Sequence, residues 1–482
     1  MVNPNPLPEP LTFDNDQRLK YLRKLMRGWF VKFIFYCLMG WYLIYADPFG
    51  MGGFSSKVSE KTFDWLFSSS YESFRDDGYK KDNILVALVN DISIDNLYKS
   101  GIIEANEWPL KYVDHAKILS TLIYSQPKAI FIDIKFLKER TTDATLQRAT
   151  ARLRSKAEKY GTKLYFAQGS ADTKMSEDIQ SKILSLGELS ITGWKNEHKY
   201  YPLIEGGKPT AALQLYQLLC SEWPFYCKNK FKLNDFDVPM SVVWSSNSAD
   251  SLFKYRESKG QGCVLPPQNA KEKFLDILSK LFKGAFKGLN NDFDEEVICA
   301  FHRHIYADEI FDVSKESKSK AKMIIKDNII FYGADVSGIS DVVNSPVLGE
   351  QPGVFYHAMA FDNLLSYGED YRRNIDNNFI TFIAWIIWVA FIIFYSKRRA
   401  TYEQPVSALL SIAVLFSFTG LLIILNIYCL NATPANWVGM LGLGTVIQGF
   451  LGHVPSISTM VKSMVKWGIY LPYRLIYFAK IT

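Results

Sequence analysis

Residues Ile84–Ile134 read ILVALVNDISIDNLYKSGIIEANEWPLKYVDHAKILSTLIYSQPKAIFIDI. The two ends, ILVALV (Ile84–Val89) and AIFIDI (Ala129–Ile134), are short apolar runs rich in strand-favouring residues. Between them VDHAKILSTLIYS (Val113–Ser125) carries its apolar residues at helical spacing. Strand, helix and strand in that order make a βα unit whose crossover predicts parallel pairing. The alternation continues outward with a helix from about Ala144 to Tyr160, a strand KLYFAQ (Lys163–Gln168) and a central strand NIIFYGA (Asn328–Ala334). In PGVFYHAMAFDNLLSYG (Pro352–Gly368) the Pro-Gly pair punctuates a turn, and Ala358, Phe361, Leu364 and Leu365 form the apolar face of a helix. The expected fold is α/β, a mainly parallel sheet covered by helices. Lys271–Leu289 has an apolar stripe of Phe274, Ile277, Leu278, Leu281, Phe282 and Phe286; a helix capping the sheet is favoured over one lying on a membrane. The lysine-rich stretch Lys315–Lys326 reads as a solvated connection.

Hydrophobic residues make up 48% of the 482 positions, and the mean hydropathy of −0.03 conceals their concentration at the two ends of the chain. GWFVKFIFYCLMGWYLIYA (Gly28–Ala46) is long enough to cross a hydrocarbon core, with Lys32 near one end. No small-x-small cleavage site follows, so it reads as an uncleaved anchor. The expected organisation is a leader at 1–27, a first span at 28–46, a globular domain at 47–377, spans at 378–395, 406–430 and 437–453, and a tail at 454–482. Arg18, Lys20, Arg23, Lys24 and Arg27 precede the first span, Lys397, Arg398 and Arg399 join the second to the third, and Lys462, Lys466, Arg474 and Lys480 follow the fourth. The connection Asn431–Asn436 has neither Lys nor Arg. The positive-inside rule therefore puts both termini in the cytoplasm of a bacterial inner (plasma) membrane and the globular domain in the periplasm or outside.

That topology accounts for the net charge of +6 better than a nucleic-acid partner, because no zinc-finger, RNA-recognition or basic-zipper signature accompanies the charge. The last spans hold almost no ionisable residue, which disfavours a transporter. Gly439, Gly442, Gly444, Gly449 and Gly452 permit close helix approach, within one subunit or in a homo-oligomer. The aromatic, basic tail suits a helix lying against membrane lipid. Cys220, Cys227, Cys263 and Cys299 all fall in the globular part, an even number that suits an oxidising compartment. Four cysteines allow three pairings; proximity favours Cys220 with Cys227 and Cys263 with Cys299, and buried free thiols remain the alternative.

Several segments together resemble the type-two CHASE domain, a sensory extracellular domain associated with bacterial cyclases and histidine kinases. ILVALVNDISIDNL, WPLKYVDHAKILSTL and KAIFIDIKF resemble its first strand and acidic turn, its Trp-Pro segment with the following helix, and its second strand. YYPLIEGGKPTAALQLYQL, NIIFYGADVSGISDVVNSPV and PGVFYHAMAFDNLL follow in family order. Leu110 and Lys111 stand where the family usually has an aromatic residue and an arginine, and Ser345 stands for a common threonine. The resemblance implies an extracytoplasmic sensor domain with one span before it and three after. Family members generally continue into a kinase, cyclase or phosphodiesterase, and residues 454–482 are too few for such a domain, so the output is expected from a separate cytoplasmic protein.

Asp91 and Asp133 follow the first two strands, at the carboxyl ends where open α/β sheets form their crevice, and His115 lies on the helix between. With Asp335 and Asp341 beyond a later strand they are ligand-pocket candidates for a polar group or cation. Capping and turn closure by the aspartates, and a satisfied core role for His115, are the favoured alternative. Trp108, Pro109, Pro346, Pro352, Gly353 and His357 are family-motif residues read as structural: the Trp-Pro pair fixes a helix entrance, and the Pro-Gly pair with His357 positions the terminal helix. His302 and His304 share one face of a strand but lack a third ligand, and no metal or cofactor is expected. No P-loop, nucleophile elbow, kinase signature or His-Glu-x-x-His pair occurs, so no enzyme activity is expected. The leading expectation is a sensor subunit signalling to that separate partner; the alternative is an oligomeric membrane effector or scaffold, altering permeability under a partner's control.

Overall fold

The computed structural model describes residues 15–46, 83–193, 200–222, 231–245, 301–311, 322–338, 341–345, 349–374 and 378–402, with isolated positions elsewhere. The chain divides into two compact units: Met1–Glu60 with Asp376–Cys429 and Pro434–Thr482, and Lys61–Ile375 with Leu430–Thr433. In chain order the elements are α1 (Asn15–Tyr45), β1 (Ile84–Asn90), α2 (Asp91–Lys99), α3 (Tyr112–Tyr124), β2 (Ala129–Ile132), α4 (Leu146–Tyr160), β3 (Lys163–Gly169), α5 (Glu177–Leu184), β4 (Glu188–Ile191), β5 (Ile204–Glu205), β6 (Lys208–Pro209), α6 (Ala211–Glu222), β7 (Arg303–Tyr306), α7 (Ala307–Ile310), β8 (Ile329–Asp335), β9 (Val342–Ser345), β10 (Gly349–Pro352), α8 (Val354–Tyr367) and α9 (Asn378–Tyr402).

The larger unit is built on a six-stranded sheet of order β4-β3-β2-β8-β1-β7 in which every pair is parallel. The apolar runs are unbroken because both faces of the sheet are covered. On β1, Ile84, Val86 and Leu88 join one hydrophobic cluster while Leu85, Ala87 and Val89 join the other. Residues from α6 and α8 complete the first cluster, and residues from α2, α3, α4 and α5 complete the second. These six apolar β1 side chains are at most 2% exposed, and each full burial of a Val, Leu or Ile contributes about 1.5–3 kcal/mol. The expected strand and helix positions match to within a few residues, the second strand ending at Ile132 rather than Ile134.

Local chemistry sets the helix ends. The Asn90 side chain accepts from Ser93 N at 2.8 Å and Ser93 Oγ accepts from Asn90 N at 2.9 Å, a reciprocal cap that starts α2 directly where β1 stops. Gly161, with φ of 71°, ends α4 in the left-handed conformation. A Cβ at Gly333 of β8 would stand 2.7 Å from Val354 Cβ, so the first turn of α8 seats on the sheet only because that strand position is glycine.

In the smaller unit α1 and α9 pack together. Tyr36 of α1 meets Trp385, Trp388 and Val389 of α9, and Trp385 Nε1 donates to Tyr36 O at 3.0 Å. A Cβ on Gly40 would lie 1.9 Å from Trp385 Nε1, so this glycine admits the indole. Among the described residues no helix is long and apolar enough to cross a membrane. The spans expected at 28–46 and 378–395 fall on α1 and α9, whose described residues do not reach that measure. The runs at 406–430 and 437–453, the tail 454–482 and the Lys271–Leu289 stripe lie outside the described residues except for isolated positions.

Candidate functional site

At the carboxyl end of β2, Asp133 N still donates to Tyr332 O at 2.8 Å, so strand alternation persists and turns the Asp133 side chain, like Phe131 two residues before, toward the α8 face. There, with 5% side-chain exposure, Asp133 Oδ2 lies 3.7 Å from Nε2 of His357, in the first turn of α8. His357 Nδ1 is 2.8 Å from the Tyr201 hydroxyl, which accepts from Ala212 N at 3.1 Å. Which of the two groups donates is set by the imidazole tautomer, and Nε2, the other ring nitrogen, is the one that faces Asp133. The rings of Phe131 and Tyr201 meet His357 edge-on at 5.2 and 5.6 Å and exclude water from it.

The electrostatics follow from this burial. Desolvation, then the charge of Lys135, lowers the His357 pKa to about 3, so the imidazole is neutral at pH 7. Desolvation, then the nearby Asp341 carboxylate, raises the Asp133 pKa well above the ordinary carboxylate range, with Lys135 opposing. Burial also raises the Tyr201 pKa. Asp341 is exposed, its backbone carbonyl accepts from Gly353 N at 2.9 Å, and a Cβ on Gly353 would stand 2.5 Å from Asp341 Oδ1. Glycine at the start of α8 therefore lets that carboxylate sit beside the helix entrance. Such an arrangement can take up or release a proton and can hydrogen-bond a polar group arriving from the Asp341 side.

Asp91, His115, Asp133, Asp335 and Asp341 do not form one pocket. His115 sits on the other face of the sheet, because the crossover helix between β1 and β2 covers the face opposite α8. Its Nδ1 is 2.9 Å from the Tyr332 hydroxyl, its ring is boxed by Trp108 and Phe136, and burial followed by Arg140 lowers its pKa to about 3. Asp91 is exposed and accepts from Ser337 N at 3.0 Å and Ser337 Oγ at 2.7 Å, bonds that lower its pKa. Asp335, exposed beside it, has its pKa raised by desolvation and by Asp91. The site thus keeps Asp133 and Asp341, gains His357 from the family-motif residues, and adds Tyr201 and Lys135, which sequence reasoning missed. Tyr201 lies 156 positions from His357, and no periodicity links them.

Trp108 packs on His115, and the Pro352-Gly353 pair leads into α8; Pro346 lies outside the described residues. Pro109 is exposed. His302 is buried with Nε2 4.0 Å from Asp362 of α8, while the His304 ring meets Tyr306 and Phe355. Among the described residues no group of three His, Cys, Asp or Glu side chains could hold a metal. Cys220 is disulfide-bonded, Cys37 of α1 is a free thiol, and Cys227, Cys263 and Cys299 lie outside the described residues.

The CHASE2 domain family matches residues 38–396, from inside α1 through the whole sheet unit to inside α9. The chain belongs to that family. CHASE2 domains are extracellular sensory domains of membrane proteins. No curated protein and no solved structure matches the chain. In CHASE2 terms, His357 belongs to the terminal helix of the sensory domain, so the candidate site and the last helix before α9 share a residue.

Proposed function

We propose that this CHASE2 chain is a membrane-anchored sensor subunit whose sensing end is the Asp133, Asp341 and His357 edge of the sheet. A change of protonation or of polar occupancy there acts on α8, and α8 passes the change along the chain to α9 and the cytoplasmic side. The observation that carries this reading is the double position of α8: its first turn supplies His357, 3.7 Å from Asp133, and its far end leads within the same chain to α9. The domain faces the periplasm or exterior of a bacterial inner membrane, held by one span before it and three after. The apolar run Phe379–Tyr395 and the basic triplet Lys397–Arg399 behind it support that topology.

The chain carries no catalytic activity of its own in this reading and relays to a separate cytoplasmic protein, which the leader or the Lys397–Arg399 loop would receive. The test is the mass and composition of the intact protein purified in mild detergent from its own cells. A stoichiometric cytoplasmic enzyme or regulator is the expected result. A homo-oligomer alone would overturn the relay and favour a membrane effector or scaffold, whose helix packing the glycines of residues 437–453 would serve.

A further inference from the structure

The segment between α8 and α9 is held to the sheet unit by a short ladder whose other rail is residue 201. Met240 pairs antiparallel with Tyr201 on one side and Arg373 on the other. Tyr201 N donates to Met240 O at 2.9 Å and Met240 N to Tyr201 O at 2.7 Å; Ser241 N donates to Arg372 O at 2.9 Å and Asn374 N to Pro239 O at 2.8 Å. Tyr201 therefore touches His357 through its hydroxyl and the 239–243 segment through its backbone. A second tie runs from α8 itself: Asn363 accepts from Val243 N at 2.9 Å and donates to Val243 O at 3.1 Å.

Beyond the ladder, Arg372 turns inward. Its guanidinium makes a bidentate pair with Asp64 at 2.9 and 3.2 Å and also donates to Ser241 Oγ at 3.1 Å. Both charged side chains are buried. Asp64 belongs to the stretch that brings the chain from α1 into the sheet unit, and Arg372 to the stretch that takes it out toward α9. A buried bidentate pair holds its two segments in one geometry, because separating them strands a charge away from water.

We propose that the 239–243 segment, gripped by Tyr201 and Asn363 on one side and Arg372–Asn374 on the other, is the output coupling of the sensory domain, and that the Arg372–Asp64 pair makes the entry and exit segments move together. Its input is the Asp133–His357 end only if that end senses, so this inference rests on the function proposed above. A displacement of His357 shifts Tyr201, the ladder transmits the shift to Arg372, and the ion pair carries it to Asp64. Every step is a hydrogen bond or ion pair rather than spatial proximity alone.

The test is amide hydrogen exchange on the full chain in lipid nanodiscs. Tyr201→Phe, which removes only the hydroxyl, is expected to speed exchange at Ser241 and Asn374 by about tenfold while the Leu119 amide of α3, on the opposite face of the sheet, is unchanged. Asp64→Asn should speed exchange at Asn374 with no change in the peptide carrying His357. Protection at Phe131 and Phe331 in the central strands reports that each variant is folded. If Tyr201→Phe affects only residues next to position 201, or Asp64→Asn leaves Asn374 as protected as before, the coupling is overturned. Asp133→Asn separates the two claims: when Tyr201→Phe reaches Asn374 and Asp133→Asn does not, the coupling stands and the sensing role of Asp133 falls.

Discussion

His115→Gln should remove a specific part of the acid sensitivity of the sheet unit. The imidazole is buried between Trp108, Phe136 and Tyr332, and its pKa falls from 6.5 to about 3 on folding. A lowered folded value means that the unfolded chain binds the proton more tightly. The stability contribution is therefore complete above the unfolded pKa of 6.5 and is lost progressively as pH falls toward the folded value. With these two values, lowering the pH from 7.5 to 5.0 costs about 2 kcal/mol. Glutamine can still hydrogen-bond the Tyr332 hydroxyl but does not titrate. Whatever the replacement costs in packing is the same at both pH values, and the other titrating groups cancel in the comparison with the unsubstituted protein. Equilibrium urea unfolding of the full chain in mild detergent, followed by circular dichroism at several pH values, measures the difference. The account expects the wild type to lose about 2 kcal/mol more than His115→Gln between those pH values. Parallel stability curves for the two proteins would refute the argument that a neutral, water-excluded imidazole is built into this core.

Asp133 carries the opposite sign. Its raised folded pKa gives a contribution that is present at low pH and lost as pH rises through the folded value, so Asp133→Asn should flatten the alkaline decline of the unfolding midpoint between pH 5 and 9. Arg372→Leu and Asp64→Leu should each cost about 3–5 kcal/mol by leaving one buried charge unpaired, and the double variant should cost less than either single one, as a double-mutant cycle in urea will read. Gly40→Val places a side chain where Trp385 sits; disulfide trapping between cysteines introduced into α1 and α9 should fall sharply in that variant, and unchanged trapping would argue against the observed packing.

The sheet was legible because β1, β2, β3 and β8 are short runs that are apolar on both faces, and because the helix after each of the first two strands leaves a periodic stripe. Strand order was legible only in that the apolar run Asn328–Ala334 announces a central strand; its neighbours were not. Placing β8 between β1 and β2 depends on a late segment returning to the centre of the sheet, a long-range choice that no local pattern encodes. The same limit governs the site. Asp133 and Asp341 announce themselves as carboxylates after strands, but the face each one uses is decided by strand alternation and by which crossover helix covers that face. His115 and His357 read alike as single histidines on apolar helices, and both are buried with lowered pKa values. They part company because α3 and α8 lie on opposite sides of the sheet, which leaves only His357 beside Asp133. Tyr201 and the Asp64–Arg372 pair join segments hundreds of positions apart or nearly so, and their meaning exists only in the folded chain.

The most direct test of the account is the side of the membrane on which the CHASE2 unit lies. Ile92, 69% exposed on α2, can be replaced by cysteine and treated in intact cells with a membrane-impermeant maleimide, using the unsubstituted chain as background, alongside a separate Arg398→Cys protein. The account predicts that Ile92→Cys is labelled in intact cells, whereas Arg398→Cys is labelled only after the inner membrane is opened. Labelling of Arg398→Cys in intact cells with Ile92→Cys protected until permeabilisation would place the sensory unit in the cytoplasm and contradict it.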